Sequence, residues 1–254
     1  MQRFPGTPVL LTGAASGIGH ATALRLIAEG ARVFAVDRDA DGLAALAAEV
    51  GDGAGAAGAA SRLEIGVADV TAEEQVVAVV EEAVAVLGGI EVLINVAGTH
   101  RTTPIATLTA TDLREVFEIN CVGTALFCRE ALRHLPDRAG VIVNIASAAA
   151  GHGNPYMSAY SASKGAVLSF SLSLAAELVG RGIRVVPISP GQVATPLTAN
   201  AVPEGLDMRY FGRIVSPLGP AEPEQIAATI AFAASPDASY ITGVELRVDG
   251  GSHI

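Results

Sequence analysis

Tyr160 and Lys164 are four residues apart in the segment Tyr160-Ser-Ala-Ser-Lys164, a spacing that places two side chains on one face of a helix. An ammonium group beside a phenol favours the ionised phenol and lowers its pKa from the usual value of about 10. Such a phenol can exchange a proton with an alcohol oxygen. The pair alone is weak evidence of catalysis, because ordinary helix surfaces carry similar pairs.

A glycine loop near the start of the chain predicts an anion site. Pro8–Thr12 is an apolar run too short for a helix, and it reads as a buried parallel strand. The loop Thr12-Gly-Ala-Ala-Ser-Gly-Ile-Gly19 follows, and an apolar-periodic helix runs from His20 to Glu29. Strand, glycine turn and helix N-terminus in this order offer N–H groups to a pyrophosphate, although a lone glycine triplet also occurs in simple tight turns.

Asp37 ends the next predicted strand, which begins at Arg32. A carboxylate here can bind both ribose hydroxyls of an adenosine and leaves no room for a 2′-phosphate. Its alternative role, capping the following helix, is served equally by Asp39. Arg38 is suited to adenine or, in another setting, to a phosphate. The Asp37 carboxylate and a 2′-phosphate about 4 Å apart would repel by about 4 kcal/mol at an effective dielectric constant near 20. We therefore expect NAD rather than NADP.

The glycine loop, the strand Val141–Ser147 and the Tyr160/Lys164 pair, in this order, resemble the short-chain dehydrogenase/reductase family. The resemblance extends over about residues 8–251, and the glycine spacing is the G-x-x-x-G-x-G variant of that family. Asn95-Val-Ala-Gly98 stands where the family usually has Asn-Asn-Ala-Gly. This departure puts one local hydrogen bond in doubt, and we expect Asn95 to brace its strand.

The resemblance implies a catalytic set of four residues. Tyr160 would exchange the substrate proton, and Ser147 would hydrogen-bond the substrate oxygen. Lys164 would lower the pKa of Tyr160 and bind the nicotinamide ribose. Asn120 would bend its helix, about 109–135, and complete a proton relay; a plain surface polar residue is the alternative for Asn120.

The resemblance also implies the residues that bind the cofactor. The Pro190-Gly191 turn would pack on the nicotinamide, and Thr195 would bind its carboxamide or the pyrophosphate. Asp69 would cap the adenine pocket, or else serve only as a turn residue at a strand end. The full expected set is Gly13, Ser16, Gly17, Ile18, Gly19, Asp37, Arg38, Asp69, Val70, Asn95, Ala97, Gly98, Tyr160, Lys164, Pro190, Gly191, Val193 and Thr195.

Strand and helix patterns alternate along the whole chain. They predict an α/β fold: one Rossmann-type, doubly wound domain over residues 1–254, with a seven-stranded parallel sheet and helices on both faces. The cofactor half would cover about 8–148 and the catalytic and substrate half about 149–254, with a lid at about 197–219. Thr71-Ala-Glu-Glu74 predicts a capping box and Gly88 a helix stop. Residues 51–60 predict a surface loop.

Composition excludes several classes of protein. The net charge of −10 argues against binding nucleic acid or an anionic membrane through general electrostatics. The long uncharged stretches are interrupted by Gly, Pro and Asn, and the chain opens with no signal-peptide pattern. The five histidines lack metal-ligand spacing, and Cys121 and Cys128 read as reduced packing residues. We therefore expect a metal-free cytoplasmic protein, and by family resemblance a homotetramer.

The expected activity is NAD-dependent interconversion of a neutral, mainly apolar secondary alcohol and its ketone, cyclic rather than linear. The small Ala148–Gly151 run leaves space, and Tyr156, Met208 and Phe211 offer apolar walls. A charged substrate would have only Arg101, Arg209 and Arg213 as partners, and a sugar would need more fixed hydrogen-bond partners than the sequence shows. The alternatives are a 3-oxoacyl-thioester (acyl carrier protein) reductase and, from another class, a non-catalytic NAD-binding sensor.

Overall fold

In a computed structural model, the protein is described over residues 2–52, 62–199 and 206–252. Seven apolar runs form one parallel sheet in the order β3-β2-β1-β4-β5-β6-β7, which confirms the predicted fold. The strands are β1 Pro8–Thr12, β2 Arg32–Asp37, β3 Leu63–Val67, β4 Val92–Asn95, β5 Val141–Ile145, β6 Arg184–Pro190 and β7 Leu246–Val248. The strand order reverses between β1 and β4, and ligands of such sheets bind beyond the carboxyl ends of the strands at that point.

Helices cover both faces of the sheet. They are α1 Gly17–Ala28, α2 Ala40–Asp52, α3 Glu73–Leu87, α4 Ala110–Phe117, α5 Gly123–Ala131, α6 Ser158–Leu178, α7 Pro196–Ala199 and α8 Pro223–Ala234. Successive strand residues enter opposite cores because side chains alternate along a strand. Val9 and Leu11 pack in the core beneath α1, α2 and α8, whereas Leu10 packs in the core with α3, α5 and α6.

The two predicted signals for α3 have different outcomes. Gly88 ends the helix in the left-handed conformation with φ of 77°, as predicted. The predicted capping box does not form, because the residue that precedes the first turn of α3 is Ala72 and not Thr71. The Thr71 hydroxyl instead donates to Asp69 Oδ1 at 2.8 Å.

The helix predicted at about 109–135 begins as expected, with a capping box formed by Thr109 and Asp112. It is interrupted between α4 and α5 by one π-helical turn, Glu118–Val122. A π-turn inserts an extra residue into the helix and is frequent at functional sites. Asn120 lies within this turn, which is the local bend that the family resemblance implied.

Among the described residues, one helical segment, Ser158–Arg181, is long and apolar enough to cross a membrane by length and composition alone, with a mean hydropathy of 1.3. Core helices of soluble proteins pass the same test. This segment packs along β6 and carries Tyr160 and Lys164.

Two expected loops lie partly outside the described residues. Gly51 and Asp52 end α2 rather than begin a loop, and positions 53–60 fall outside the described part. Of the expected lid, positions 200–205 fall outside it as well. The described remainder includes part of α7 and a 3₁₀ helix, Met208–Arg213.

Candidate active site

The glycine loop forms a close-packed cradle at the N-terminus of α1. A Cβ atom on Gly13 would lie 2.5 Å from the Ala97 backbone nitrogen, and one on Gly19 would lie 1.9 Å from the Gly13 carbonyl oxygen. Ser16 precedes the helix and makes no side-chain cap. The first N–H groups of α1 are thus left for an anion, as at other helix N-termini that bind phosphates.

A cleft of about 380 Å³ opens over this cradle. Its walls come from the carboxyl ends of β1, β2, β3 and β4 and from the segment after β6. Twelve of the expected cofactor residues line it: Gly13, Ser16, Gly17, Ile18, Gly19, Asp37, Arg38, Asp69, Val70, Ala97, Gly98 and Thr195. The size, glycine cradle and carboxylate fit a dinucleotide.

Asp37 is held in place by backbone groups. Its Oδ2 accepts from Ala15 N at 3.1 Å, and its Oδ1 accepts from Asp39 N at 3.1 Å. Asp39 in turn accepts from Gly42 N in the first turn of α2, so it takes the capping role expected of it. A carboxylate oxygen has two lone pairs, and Asp37 therefore retains acceptor capacity for ribose hydroxyls.

Asp69 lines the cleft and also serves as a turn residue. Its Oδ1 accepts from the backbone nitrogen and hydroxyl of Thr71 at 2.9 and 2.8 Å. These hydrogen bonds, the backbone one foremost, hold the pKa of Asp69 below its ordinary value, and the charge of Arg38 acts in the same direction.

Asn95 does not line the cleft, which corrects its assignment to the cofactor set. Its Nδ2 donates to Asn144 Oδ1 at 2.9 Å, and Asn144 Nδ2 donates to Ser171 Oγ at 3.0 Å. This buried chain braces β4, β5 and α6 together. Cys128 lies beside it, and burial raises the pKa of its thiol to about 12.

Thr12 is a residue that sequence reasoning missed. Its hydroxyl oxygen accepts from Val96 N at 3.2 Å and from Ala97 N at 3.3 Å. It therefore holds the turn after β4, including the valine that departs from the family pattern. The available signal was a hydroxyl at the end of an otherwise apolar strand.

The segment after β6 contributes mainly through Thr195. A Cβ atom on Gly17 would lie 3.0 Å from Thr195 Cγ2, so this threonine covers the cradle. Pro190, Gly191 and Val193 were expected in the cofactor set, but in the described cleft they support the segment instead of lining it. Gly191 N donates to Val248 O at 3.0 Å, and Val193 is buried.

Asn120 is fully buried, which excludes the surface alternative. Its Oδ1 accepts from Thr99 N at 2.7 Å. Its Nδ2 donates to Thr99 O at 3.0 Å and to Ser163 Oγ at 2.9 Å. The π-turn thereby joins the loop after β4 to α6, immediately beside Lys164.

Lys164 is the only lysine in the sequence and is 5% exposed. Its Nζ donates to Ile145 O at 2.7 Å. A Cβ atom on Gly98 would lie 3.3 Å from this Nζ and 3.0 Å from Asn120 Oδ1, so the amine and Asn120 border the same glycine. Burial lowers the pKa of Lys164 to about 8.

Tyr160 and Ser147 are the residues expected to react. The Ser147 oxygen accepts from Ala149 N at 3.2 Å, and the serine hydroxyl acts on the pKa of the Tyr160 phenol. Burial raises the pKa of Tyr160 and the hydrogen bond with Ser147 partly opposes this shift. The expectation that Lys164 lowers this pKa is therefore not met by the protein alone, because burial dominates and the lysine Nζ is directed to the Ile145 carbonyl.

The raised pKa predicts opposite pH trends for the two reaction directions. A protonated phenol can donate to a ketone at neutral pH, whereas alcohol oxidation needs the phenolate, which increases as pH rises toward the phenol pKa. We expect kcat/KM for oxidation to rise from about pH 6 to about pH 9 and that for reduction to stay level or fall. Initial rates in both directions across this range measure it, and oxidation that peaks at the acidic end would contradict it.

Two pairs of aromatic rings contact each other in the segments after β4, β5 and β6. The His100 ring, also missed from sequence, contacts the Tyr160 ring edge-on with centroids 4.6 Å apart. Tyr156 stacks on Phe211 with centroids 5.9 Å apart, which joins the segment after β5 to the 3₁₀ helix at Met208–Arg213.

Two of the three arginines considered for a charged substrate are already paired. Arg101 pairs with Asp112 and Glu115, and Arg209 pairs with Asp207. The side chains of Arg213 and Met208 lie outside the described part of the structure.

In the described ranges no group of three His, Cys, Asp or Glu side chains could hold a metal ion, and both cysteines are free.

A dinucleotide cleft bordered by a buried lysine, which lies one helical turn after a tyrosine, is the arrangement of an oxidoreductase that uses a nicotinamide cofactor. A family model described as "Enoyl-(Acyl carrier protein) reductase" matches residues 13–253. D-threitol dehydrogenase of Mycolicibacterium smegmatis is 40% identical over 98% of this chain and 94% of its own. The chain belongs to the short-chain dehydrogenase/reductase family.

Two solved structures are also similar over nearly their whole length. A 3-ketoacyl-(acyl-carrier-protein) reductase from Brucella melitensis, complexed with NADH, has a TM-score of 0.85 and 34% identity over 98% of this chain and 99% of its own. A short chain dehydrogenase from Burkholderia cenocepacia, in complex with NADP, has a TM-score of 0.86 and 29% identity over 99% of this chain and 100% of its own. The family and these neighbours indicate a nicotinamide cofactor.

Proposed function

We propose that the protein is an NAD-dependent dehydrogenase that interconverts a neutral, mainly apolar secondary alcohol and its ketone. The observation that carries this proposal is that buried Lys164, one helical turn after Tyr160, borders Gly98 in the same cleft that Asp37 lines. NADH formation with a panel of cyclic, steroidal, sugar and acyl alcohols tests it. Turnover confined to acyl thioesters, or no turnover at all, would refute it.

The chain's own residues handle the proton, and the cofactor supplies the hydride acceptor when bound. Tyr160 takes the hydroxyl proton, and Ser147 donates a hydrogen bond to the substrate oxygen, which stabilises the charge that develops there. Lys164 would hold the nicotinamide ribose and, with Asn120, would pass the proton onward from Tyr160. The hydrogen bonds of Asn120 fix the π-turn against the loop after β4 and against α6.

The preference for NAD is supported by Asp37, whose carboxylate is fixed by two backbone N–H groups. We expect Asp37→Ser to weaken NAD binding and to improve NADP binding together, because the serine removes the repulsion of a 2′-phosphate and leaves Arg38 beside it. Titrations of both cofactors measure the two dissociation constants.

The matched control for this experiment is Asp41→Ser in the first turn of α2. It removes the same charge from a position outside the cleft and is expected to leave both constants unchanged. Wild-type protein that already prefers NADP in the same titration would show that the role assigned to Asp37 is wrong.

The second candidate is a 3-oxoacyl-thioester reductase, favoured by the family-model description and by the Brucella melitensis neighbour. Such an enzyme docks an acidic carrier protein, and a chain with net charge −10 would repel it. The paired states of Arg101 and Arg209 support a neutral substrate, because burying an unpaired charge costs several kcal/mol. Competing an acyl thioester against a cyclic alcohol separates the two candidates.

A non-catalytic sensor is disfavoured because all four catalytic side chains are present and three of them lie buried in the site.

The homotetramer stays a prediction, which light scattering of the purified protein measures. The cytoplasmic location also stays a prediction, tested by fractionating cells that produce the protein.

A further inference from the structure

Three of the buried polar atoms that lack a hydrogen-bond partner in the described structure lie on the segments that follow β4 and β5. They are His100 Nδ1 and Thr102 Oγ1 after β4, and Asn154 Oδ1 after β5. The two segments are tied together by a hydrogen bond from Thr103 N to Tyr156 O at 2.7 Å. Buried polar groups are normally satisfied, and each exception asks for an explanation.

His100 places one of these atoms beside the reaction centre, because its ring contacts the Tyr160 ring edge-on. Burial lowers the pKa of His100, so the ring is neutral at neutral pH and offers one donor and one acceptor. Thr102 adds a hydroxyl that can donate or accept, and the amide oxygen of Asn154 adds an acceptor. A ligand hydroxyl, which both donates and accepts, matches this set.

We propose that His100, Thr102 and Asn154 form a polar subsite for a second oxygen of the substrate, on the carbon next to the one that is oxidised. The inference rests on the proposed function and narrows its substrate class to neutral vicinal diols and the corresponding hydroxyketones. The reacting carbon gives its hydride to the nicotinamide and its hydroxyl proton to Tyr160, and the neighbouring hydroxyl is unchanged. The Tyr156–Phe211 stack still contacts an apolar carbon skeleton.

The test compares kcat/KM for cyclohexanol with that for cyclohexanediol carrying neighbouring hydroxyls. The wild type is expected to prefer the diol by at least about tenfold, since a site with unmade hydrogen bonds rejects an analogue that lacks the bonding group. His100→Phe keeps an aromatic ring against Tyr160 but removes both nitrogens. It is expected to bring the ratio of the two kcat/KM values, diol over cyclohexanol, to within about threefold of one, because the loss on the diol is the larger of the two.

Two further variants separate binding from packing. His100→Gln retains a donor and an acceptor and should recover part of the diol preference. Ile105→Ala, at an exposed position of the same segment, should leave both substrates unchanged.

The outcomes distinguish the subsite from the proposed function. Oxidation of cyclohexanol without a diol preference overturns the subsite alone. An equal loss on both substrates in His100→Phe also overturns it, because His100 would then only hold Tyr160. Absence of NAD reduction by both alcohols overturns the proposed function and the subsite with it.

Discussion

Tyr160→Phe is expected to lower turnover by at least about 100-fold, the usual contribution of a general acid–base group. The change removes the phenol oxygen and keeps the ring that contacts His100. NAD binding should stay nearly unchanged, because the described cleft is lined by other residues. Steady-state kinetics and a calorimetric NAD titration measure the two effects separately.

Tyr240→Phe is the matched control, since it removes the same oxygen from a fully exposed side chain. It should leave turnover and NAD binding as in the wild type. A Tyr160→Phe protein that retained a third of wild-type turnover would exclude Tyr160 as the proton-exchanging group.

Gly19→Ala is expected to weaken NAD binding by about tenfold to 100-fold, because overpacking costs about 1–3 kcal/mol or more. The added methyl would lie 1.9 Å from the Gly13 carbonyl oxygen. Both atoms belong to the backbone-fixed cradle, so no side-chain rotation relieves the contact and the loop itself has to move. Calorimetric titration gives the dissociation constant, and thermal unfolding shows whether the fold survives.

Gly51→Ala provides the control for an added methyl in a helix. A Cβ atom on Gly51 would meet nothing within 4 Å, and the substitution should stabilise the end of α2 by up to about 1 kcal/mol. A Gly19→Ala protein that unfolds at the wild-type temperature and binds NAD with wild-type affinity would contradict the close packing described for the glycine loop.

The parts of the fold and site that follow from short-range patterns could be predicted. The buried strands are apolar runs bounded by turn residues, and the pairing of Tyr160 with Lys164 depends only on helix periodicity. The glycine cradle likewise follows from a strand, a glycine turn and a helix in sequence. The capping box at Thr71 failed because Asp69 offered its hydroxyl a competing acceptor two residues away.

Properties set by tertiary packing could not be predicted. The direction of the Tyr160 pKa shift depends on how deeply the phenol is buried, and the spacing to Lys164 carries no information on burial. Asn95 ends its strand as expected, but only the register of β4 against β5 pairs it with Asn144 and lets the two side chains hydrogen-bond. No sequence pattern distinguishes His100 from an ordinary loop residue, because its contact with the Tyr160 ring depends on the tertiary fold.

The solitary Lys164 makes the protein a chemical reporter with a single side-chain amine, which mass spectrometry of peptides separates from the α-amine. No other side-chain amine in the sequence competes for an acylating reagent, and an amine with a pKa of about 8 is substantially unprotonated in mildly alkaline solution. Its burial leaves access controlled by the surrounding site. The rate at which Lys164 is acylated, followed by mass spectrometry, therefore measures how readily a reagent gains access to the site in the absence of a substrate.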